Sequence, residues 1–411
     1  MRILHALLTT TLFASTLLPW NATAIDRADY LGLPGSSKFS ANYTEGLLVK
    51  SLLEVTRGQS QQALDTIDQL LKATPNFKLA YLVRGDLLMA RAQQLQTFGN
   101  ASSSSQEENS QTQIADFRDE ARMRIGHYLS QQTPDSLPEP LWKLDSSMQH
   151  VIVVDTDKSR LYVYRNEGDK PRYIADYYVT LGKNGSEKQS EGDKRTPLGV
   201  YFASTKLSKK LPDLYGDAAY PLSYPNEWDR HQGKKGHGIW LHGTPSGTYS
   251  RPPRASDGCV VMTNPDLKSL APILQNGKTP VIISNNLQWL AANQSPMQKA
   301  ELVKALEAWR KDWEAQDTES YLAHYSQQFF SQGTDFDRWS KEKRRIQTNK
   351  PKVEIKLSNV SMFRYPDNQL QMAVVSFEQD YKSDNLDSRI RKRQYWALEN
   401  QHWKIMYEGP A

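Results

Sequence analysis

The sequence has one cysteine, Cys259, among 411 residues, so no disulfide can form within the chain. An exported protein held together by cystines carries them in pairs; a lone thiol is either a small buried apolar group or a group with a reactive task. Long apolar runs are also scarce. No internal stretch approaches the ~20 consecutive apolar residues that span a bilayer, so no transmembrane span is expected. Charge of one sign is nearly balanced, with 51 Lys and Arg against 46 Asp and Glu. The excess of +5 is interspersed and lacks the clustered basic footprint of a nucleic-acid binder, so no nucleic-acid partner is expected. His-Glu-x-x-His, paired Cys, His-rich tracts and a phosphate-cradling Gly-rich loop after a strand are all absent, which predicts chemistry without metal or cofactor. What is present, 38% hydrophobic and 24% charged residues, describes a globular chain, and at roughly 100–200 residues per domain it predicts several domains.

The first residues differ from the rest. Arg2, the apolar and small-residue run Leu7 to Leu18 and Ala22-Thr23-Ala24 have the order of a charged start, an apolar stretch and a cleavage site. Residues 1–24 are expected to be a signal peptide, and the mature protein periplasmic or secreted. Residues 25–135 read as a helical module. Leu47, Leu48, Leu52 and Leu53 recur at helical spacing, Gly58 interrupts, and Ala63, Leu64, Ile67, Leu70 and Leu71 resume until Pro75-Asn76. Gly58, Ala63 and Pro75 fall where a tetratricopeptide repeat has its turn glycine, small packing residue and terminating proline, so the stretch resembles one such repeat. A single repeat leaves one face uncovered and must lean on another helix or subunit. Gly99 to Thr112 reads as a mobile polar loop, Ile114 to Ser130 as a helix, and Thr133 to Pro140 as a stiff linker.

From residue 145 to 286 the period changes to two. Val151 to Asp155 and Arg160 to Tyr164 read as strands around an Asp155–Lys158 turn, Tyr173 to Leu181 as a third strand, and Val281 to Ser284 as a late one, giving a mostly-β domain. Residues 295–411 begin with an amphipathic helix, Met297 to Gln316, carrying Leu302, Leu306, Trp309 and Trp313 on one face. Tyr321 to Phe330 is expected as the next helix, and strand-like runs near 352–362, 369–381, 389–398 and 403–407 complete an α+β cone. The fold class is therefore multidomain: an α-helical N-terminal module, a mostly-β middle and an α+β C-terminal cone.

The chemical signal lies in the middle domain, in Gly236 to Thr244 and Ser256 to Met262. A thiol nucleophile needs a neighbour to take its proton, and an imidazole with a pKa near ~6.5 suits that exchange at neutral pH. His242 is the candidate base for Cys259. The ring must be oriented through its other nitrogen, and where a carboxylate is absent the Gly243 carbonyl is expected to do so. Gly258 allows close backbone approach and, with the Cys259 amide, offers N–H groups to an oxyanion. His237, five residues before His242, is expected on the opposite face of an alternating strand, as a structural group or a substrate neighbour.

His242-Gly243 followed by Ser256-Asp257-Gly258-Cys259 resembles the motif of the L,D-transpeptidase catalytic domain, the YkuD family. Leu161 to Tyr164 with Val153 to Asp155 resembles its first hairpin, and Arg195-Thr196-Pro197-Leu198-Gly199 resembles its Thr-Pro-x-Gly strand start. The resemblance implies a β-sandwich-like barrel and cleavage of an L,D bond in peptidoglycan stem peptides, between diaminopimelate and D-alanine. It implies Cys259 as the acyl carrier, His242 as base, Gly243 as its orienting carbonyl, and Gly258 and Cys259 as oxyanion donors. Many members carry Arg two residues after the cysteine, where this chain has Val261. Arg251 and Arg254 are candidates to clamp stem-peptide carboxylates through forked bonds, with Ser256 and His237 as further substrate contacts. Residues 295–411 resemble the nuclear transport factor 2 type. The order of three modules resembles the cell-shape L,D-carboxypeptidase type, which implies a homodimer through the helical module. Water as acyl acceptor would give carboxypeptidase trimming, an amine would give 3–3 cross-links, and a lipoprotein-linked stem would be attached or released. A non-catalytic wall-binding scaffold is the alternative from another class.

Overall fold

Among the described residues, helical spacing near the N-terminus produces four helices: α1 (Ala41–Thr56), α2 (Ser60–Ala73), α3 (Lys78–Met89) and α4 (Glu108–Leu129). The computed structural model describes residues 41–411 apart from 96, 100–107, 131–135, 169, 292–293, 348–352 and 385. The signal-peptide segment, most of the polar loop and the start of the linker lie outside the described residues. Gly58, at φ +73°, reverses the chain between α1 and α2 in a conformation that disfavours a Cβ. Leu48, Leu52, Ala63, Ile67, Leu70 and Val83 fill the seam between the helices. α4 begins at Glu108 instead of Ile114. Once a helix is nucleated each added residue closes one more bond, so polar residues ahead of the apolar stripe extend it. The uncovered face leans on the middle of the same chain: Tyr249 enters this core, its ring 4.7 Å from that of Phe77.

The middle of the chain contains β1 (Ser136–Pro138), β2 (Leu141–Lys143), β3 (His150–Asp155), β4 (Arg160–Glu167), β5 (Lys170–Tyr178), β6 (Leu181–Gly182), β7 (Gly199–Phe202), β8 (Ala219–Pro221), the short helix α5 (Glu227–His231), β9 (Trp240–His242), β10 (Arg254–Ser256), β11 (Val260–Val261), α6 (Asn264–Leu270), β12 (Pro280–Ser284) and β13 (Trp289–Ala291). The Asp155 carboxylate accepts from the amides of Asp157 (3.0 Å) and Lys158 (3.1 Å), which shapes the β3–β4 turn. One sheet has the order β5-β4-β3-β12-β7, and smaller sheets run β11-β9-β8 and β10-β6. Ile152, Val154, Leu161 and Val163 face a core shared with Leu241, Val260, Met262 and α6. Their alternates Val151, Val153, Tyr162 and Tyr164 face the C-terminal domain. Both faces are covered, which is why these strands read as continuous apolar runs.

The C-terminal part contains α7 (Met297–Glu314), α8 (Thr318–Ala323), β14 (Tyr325–Ser331), β15 (Thr334–Asp335), α9 (Phe336–Gln347), β16 (Glu354–Tyr365), β17 (Met372–Ser383), β18 (Leu386–Glu399) and β19 (His402–Pro410). The expected second helix stops at Ala323, and Tyr325–Ser331 is a strand parallel to β19. Its aromatic residues Tyr325, Phe329 and Phe330 suit a half-buried strand. The sheet order is β15-β14-β19-β18-β17-β16-β2, with Leu302, Leu306, Trp309 and Tyr321 of the helices on one face and the β3–β4 layer on the other. The segment expected as a linker is thus partly sheet: β2 pairs with β16, and β1 with β13. The protein has N-terminal helices, a mostly-β middle and an α+β C-terminal domain. Among the described residues no helix is long and apolar enough to cross a membrane.

Candidate active site

Strands β9 and β11 run parallel, with Leu241 opposite Val260 and His242 opposite Val261. Leu241 and Val260 point into the core, so alternation puts Trp240 and His242 on the other face together with Val261, and Cys259 stands immediately before β11. Two motifs separated by residues 244–255 become neighbours in one ladder. The half-buried Cys259 receives the Trp240 amide at its Sγ (3.4 Å), and its thiol points toward the Gly238 carbonyl (3.4 Å).

His242 is buried, and its Nδ1 stands 2.7 Å from the Gly243 carbonyl oxygen. A carbonyl only accepts, so Nδ1 carries the hydrogen and Nε2 is the basic nitrogen. The Tyr215 ring meets the imidazole edge-on at 5.1 Å and lies 4.9 Å from Trp240. A Cβ on Gly243 would stand 1.9 Å from Asn264 Oδ1. That amide is in use: Oδ1 accepts from Asp217 N (3.0 Å) and Nδ2 donates to the Thr244 carbonyl (2.8 Å). Asn264 opens α6, capped by Thr263, whose hydroxyl accepts from Asp266 N (3.2 Å). A Thr-Asn-Pro helix start is legible in sequence; the partners of the Asn264 side chain are not, and Asn264 and Tyr215 are neighbours of the site that sequence reasoning missed.

Gly258 sits at φ +121°, and a Cβ there would be 2.7 Å from the Arg195 carbonyl. The Thr-Pro segment is thereby packed under the cysteine loop. The Gly258 amide donates to Ser256 Oγ (3.1 Å), and the Ser256 hydroxyl donates to the Cys259 carbonyl (2.7 Å). This differs from expectation in two respects. Ser256 is buried and closes the turn instead of facing a substrate, and the Gly258 amide is engaged by it; a tight turn under the site needs its own polar groups satisfied. His237 also departs from its expected place. The strand begins only at Trp240, so alternation does not reach His237, which lies in a loop with an 85% exposed side chain, 3.7 Å from Glu191.

Arg251 is half-buried; its Nη2 donates to the Ala255 carbonyl, and its own carbonyl accepts from Tyr178 Oη (3.0 Å) and Thr180 Oγ1 (2.9 Å). Its charge acts on both Cys259 and His242. Arg254 is exposed on β10, which runs beside β6. Val261 is buried, and its backbone exchanges two hydrogen bonds with Thr180 (2.8 and 2.9 Å).

Burial pushes the Cys259 thiol up to about 11, helped by Asp257 and opposed by the Trp240 amide, Arg251 and Lys188. Burial likewise pushes His242 down to about 4, with Arg251 adding to the effect and the Gly243 bond opposing it. At neutral pH burial therefore keeps Cys259 a thiol and His242 a neutral imidazole. Among the described residues no group of three or more His, Cys, Asp or Glu is arranged to hold a metal ion.

Residues 149–283 match the L,D-transpeptidase catalytic domain family, YkuD, and residues 301–409 match the Cds6 C-terminal NTF2-like domain. YafK of Escherichia coli (strain K12), assigned by its name to the L,D-transpeptidases, is 27% identical over 114 residues, 28% of this chain and 42% of YafK. The chain thus spans less than half the length of this curated relative. Among solved structures, Bd1075 of Bdellovibrio bacteriovorus is 29% identical with a TM-score of 0.60, over 67% of this chain and 98% of that one. The helical cell shape determining protein Pgp2 of Campylobacter jejuni is 26% identical with a TM-score of 0.57, over 68% and 96%.

Proposed function

We propose that this chain, which carries an L,D-transpeptidase catalytic domain followed by an NTF2-like domain, is an exported cysteine enzyme that trims peptidoglycan stem peptides from tetrapeptide to tripeptide. The observation that carries the reading is that Cys259, immediately before β11, receives the Trp240 amide of the paired strand β9 at its Sγ, while His242 ends β9 with Nδ1 engaged by the Gly243 carbonyl. In this reading the thiol proton passes to His242 Nε2 as Sγ attacks the diaminopimelate carbonyl carbon that is joined to D-alanine. The Cys259 amide receives the oxyanion. The C–N bond breaks, the imidazolium returns the proton to the departing D-alanine nitrogen, and a thioester remains. His242 then takes a proton from water as its oxygen attacks the thioester, and the sulfur leaves as the thiol.

Two observations support water as the acceptor. The position two residues after the nucleophile is a buried Val261 and offers no cation to a substrate, leaving Arg251 as the guanidinium nearest in charge effect to the pair. The similarity to a cell-shape protein also fits trimming better than cross-linking. A homodimer through the helical module belongs to the same reading. Its inner face is taken up by the catalytic domain, so pairing would use the outer side of α3, where Tyr81 and Leu88 are exposed.

Incubation with a purified disaccharide tetrapeptide and mass analysis of the products tests the proposal. The expected product is the tripeptide with loss of D-alanine and no dimer. A 3–3 linked dimer as the main product would replace the carboxypeptidase reading by the transpeptidase one, and no turnover at all would favour a wall-binding scaffold.

A further inference from the structure

The loop between the two motifs is gripped from outside by the N-terminal helices. The Ser250 hydroxyl donates to Glu120 Oε1 of α4 (2.6 Å). The same buried oxygen accepts from Arg124 Nε (3.0 Å) and Nη2 (2.9 Å), and Arg124 Nη1 reaches Glu45 of α1 (2.9 Å). The Arg124 guanidinium carbon lies 3.9 Å from the centre of the Tyr178 ring. Tyr178 Oη in turn donates to the Arg251 carbonyl. Beside this chain of contacts, the Tyr249 amide donates to the Asn76 carbonyl (3.1 Å) and Asn76 Nδ2 to the Ser246 carbonyl (3.2 Å).

We propose that the helical module is a positioning element of the active site: through Glu120, Arg124 and Tyr178 it sets where Arg251 stands relative to Cys259 and His242. The inference rests on Cys259 being the reactive thiol. Arg251 follows Ser250 directly, so a shift at Ser250 reaches its backbone across one planar peptide bond. The charged groups acting on the thiol are Asp257, Arg251 and Lys188, with the His242 ring at the end of the paired strand β9. Asp257 is paired with Lys183 (3.2 Å) and Lys188 with Asp193 (2.7 Å), all four within the catalytic domain. Arg251, whose guanidinium donates to the Ala255 carbonyl, alone among them is linked to the N-terminal helices, through its neighbour Ser250 on Glu120 and through Tyr178 under Arg124. Loosening that anchor moves a positive charge away from the sulfur, which disfavours the thiolate.

Because the chain has a single cysteine, alkylation by iodoacetamide followed by intact mass reads Cys259 without a substrate. The full-length protein is labelled across a pH series as wild type, Ser250→Ala, Tyr178→Phe and the double variant. Ser250→Thr keeps the hydroxyl. Thr66→Ala, which removes a bond to Glu54 inside the module (2.8 Å), is the control. The double variant is expected to move the alkylation midpoint up by about half a pH unit, the scale of a partly screened charge receding from the sulfur. Ser250→Thr and Thr66→Ala are expected to stay at the wild-type value, and circular dichroism checks that each variant is folded. An unmoved midpoint in the folded double variant, or an equal shift in Thr66→Ala, overturns the inference. A shift together with no muropeptide turnover by the wild type overturns the proposed function and leaves the positioning role standing; turnover without a shift does the reverse.

Discussion

Replacing Gly243 by alanine places a methyl group 1.9 Å from Asn264 Oδ1 and 3.1 Å from its Cγ, with the Asp217 nitrogen next at 3.3 Å. The Gly243 backbone is outside the left-handed region, so contact alone opposes the methyl. To admit it, the Asn264 amide must swing out and give up its bonds to Asp217 N and the Thr244 carbonyl. At about 0.5–1.5 kcal/mol for each hydrogen bond, Asn264→Ala should cost about 1–3 kcal/mol. Gly243→Ala should lose the same bonds and add about 1–3 kcal/mol of overpacking strain. In the double variant the methyl finds the space already vacated, so its cost should be that of Asn264→Ala alone, a non-additivity of the size expected for residues in contact. The same displacement moves the carbonyl that orients His242. Muropeptide turnover should fall about 10–100-fold in Gly243→Ala, the usual effect of losing an orienting group, and recover toward the Asn264→Ala level in the double variant. Urea midpoints and initial rates on the disaccharide tetrapeptide measure both. Costs that simply add in the double variant, or a Gly243→Ala protein as stable as wild type, would refute the steric account.

Cys259→Ala should abolish turnover and single-adduct labelling by a carbapenem while leaving the melting curve near that of wild type, since one small half-buried side chain is removed. His242→Ala should nearly match it, whereas His237→Ala should be mild, because His237 is exposed outside the strand; the opposite ranking in kcat would identify a different base. Turnover should persist at pH 5 and fall only as pH drops through about 4, where His242 gains its proton, and alkylation of the free thiol should rise toward about pH 11; an acid limb near ~6.5 would show an unshifted imidazole. Ending the chain after Asn286 strips the cover from Val151, Val153, Tyr162 and Tyr164 and removes the strand that pairs with β2. At about 1.5–3 kcal/mol for each buried side chain, the loss rivals the ~5–15 kcal/mol that holds a domain folded, so the fragment should aggregate or melt far below the full chain. A soluble fragment with an unchanged midpoint would show that the catalytic domain stands alone.

Much of this protein is written locally. The apolar runs Val151 to Val154 and Leu161 to Tyr164 around the Asp155–Lys158 turn made the hairpin legible, and the Leu302, Leu306, Trp309 stripe made α7 legible to within two residues, because period and turn chemistry act between near neighbours. His242-Gly243 and Ser256 to Cys259 stood out for the same reason: the groups proposed to carry the chemistry lie on two short segments close in sequence. The two-residue strand β11 and the exact bounds of β9 are not local properties, and the face assigned to His237 was wrong because the strand is shorter than its alternation suggested. Tertiary structure alone decided what those segments touch. It placed Asn264 against Gly243, turned Ser256 inward to close the loop, carried β2 across to the C-terminal sheet and made Tyr325–Ser331 a strand beside β19. It also docked α4 against Ser250. Apart from the Ser256 turn, whose partners are two and three residues away, each is a pairing between residues far apart in the chain, where the free energy comes from burial and from hydrogen bonds completed by the partner, and neither segment carries a local pattern that names the other.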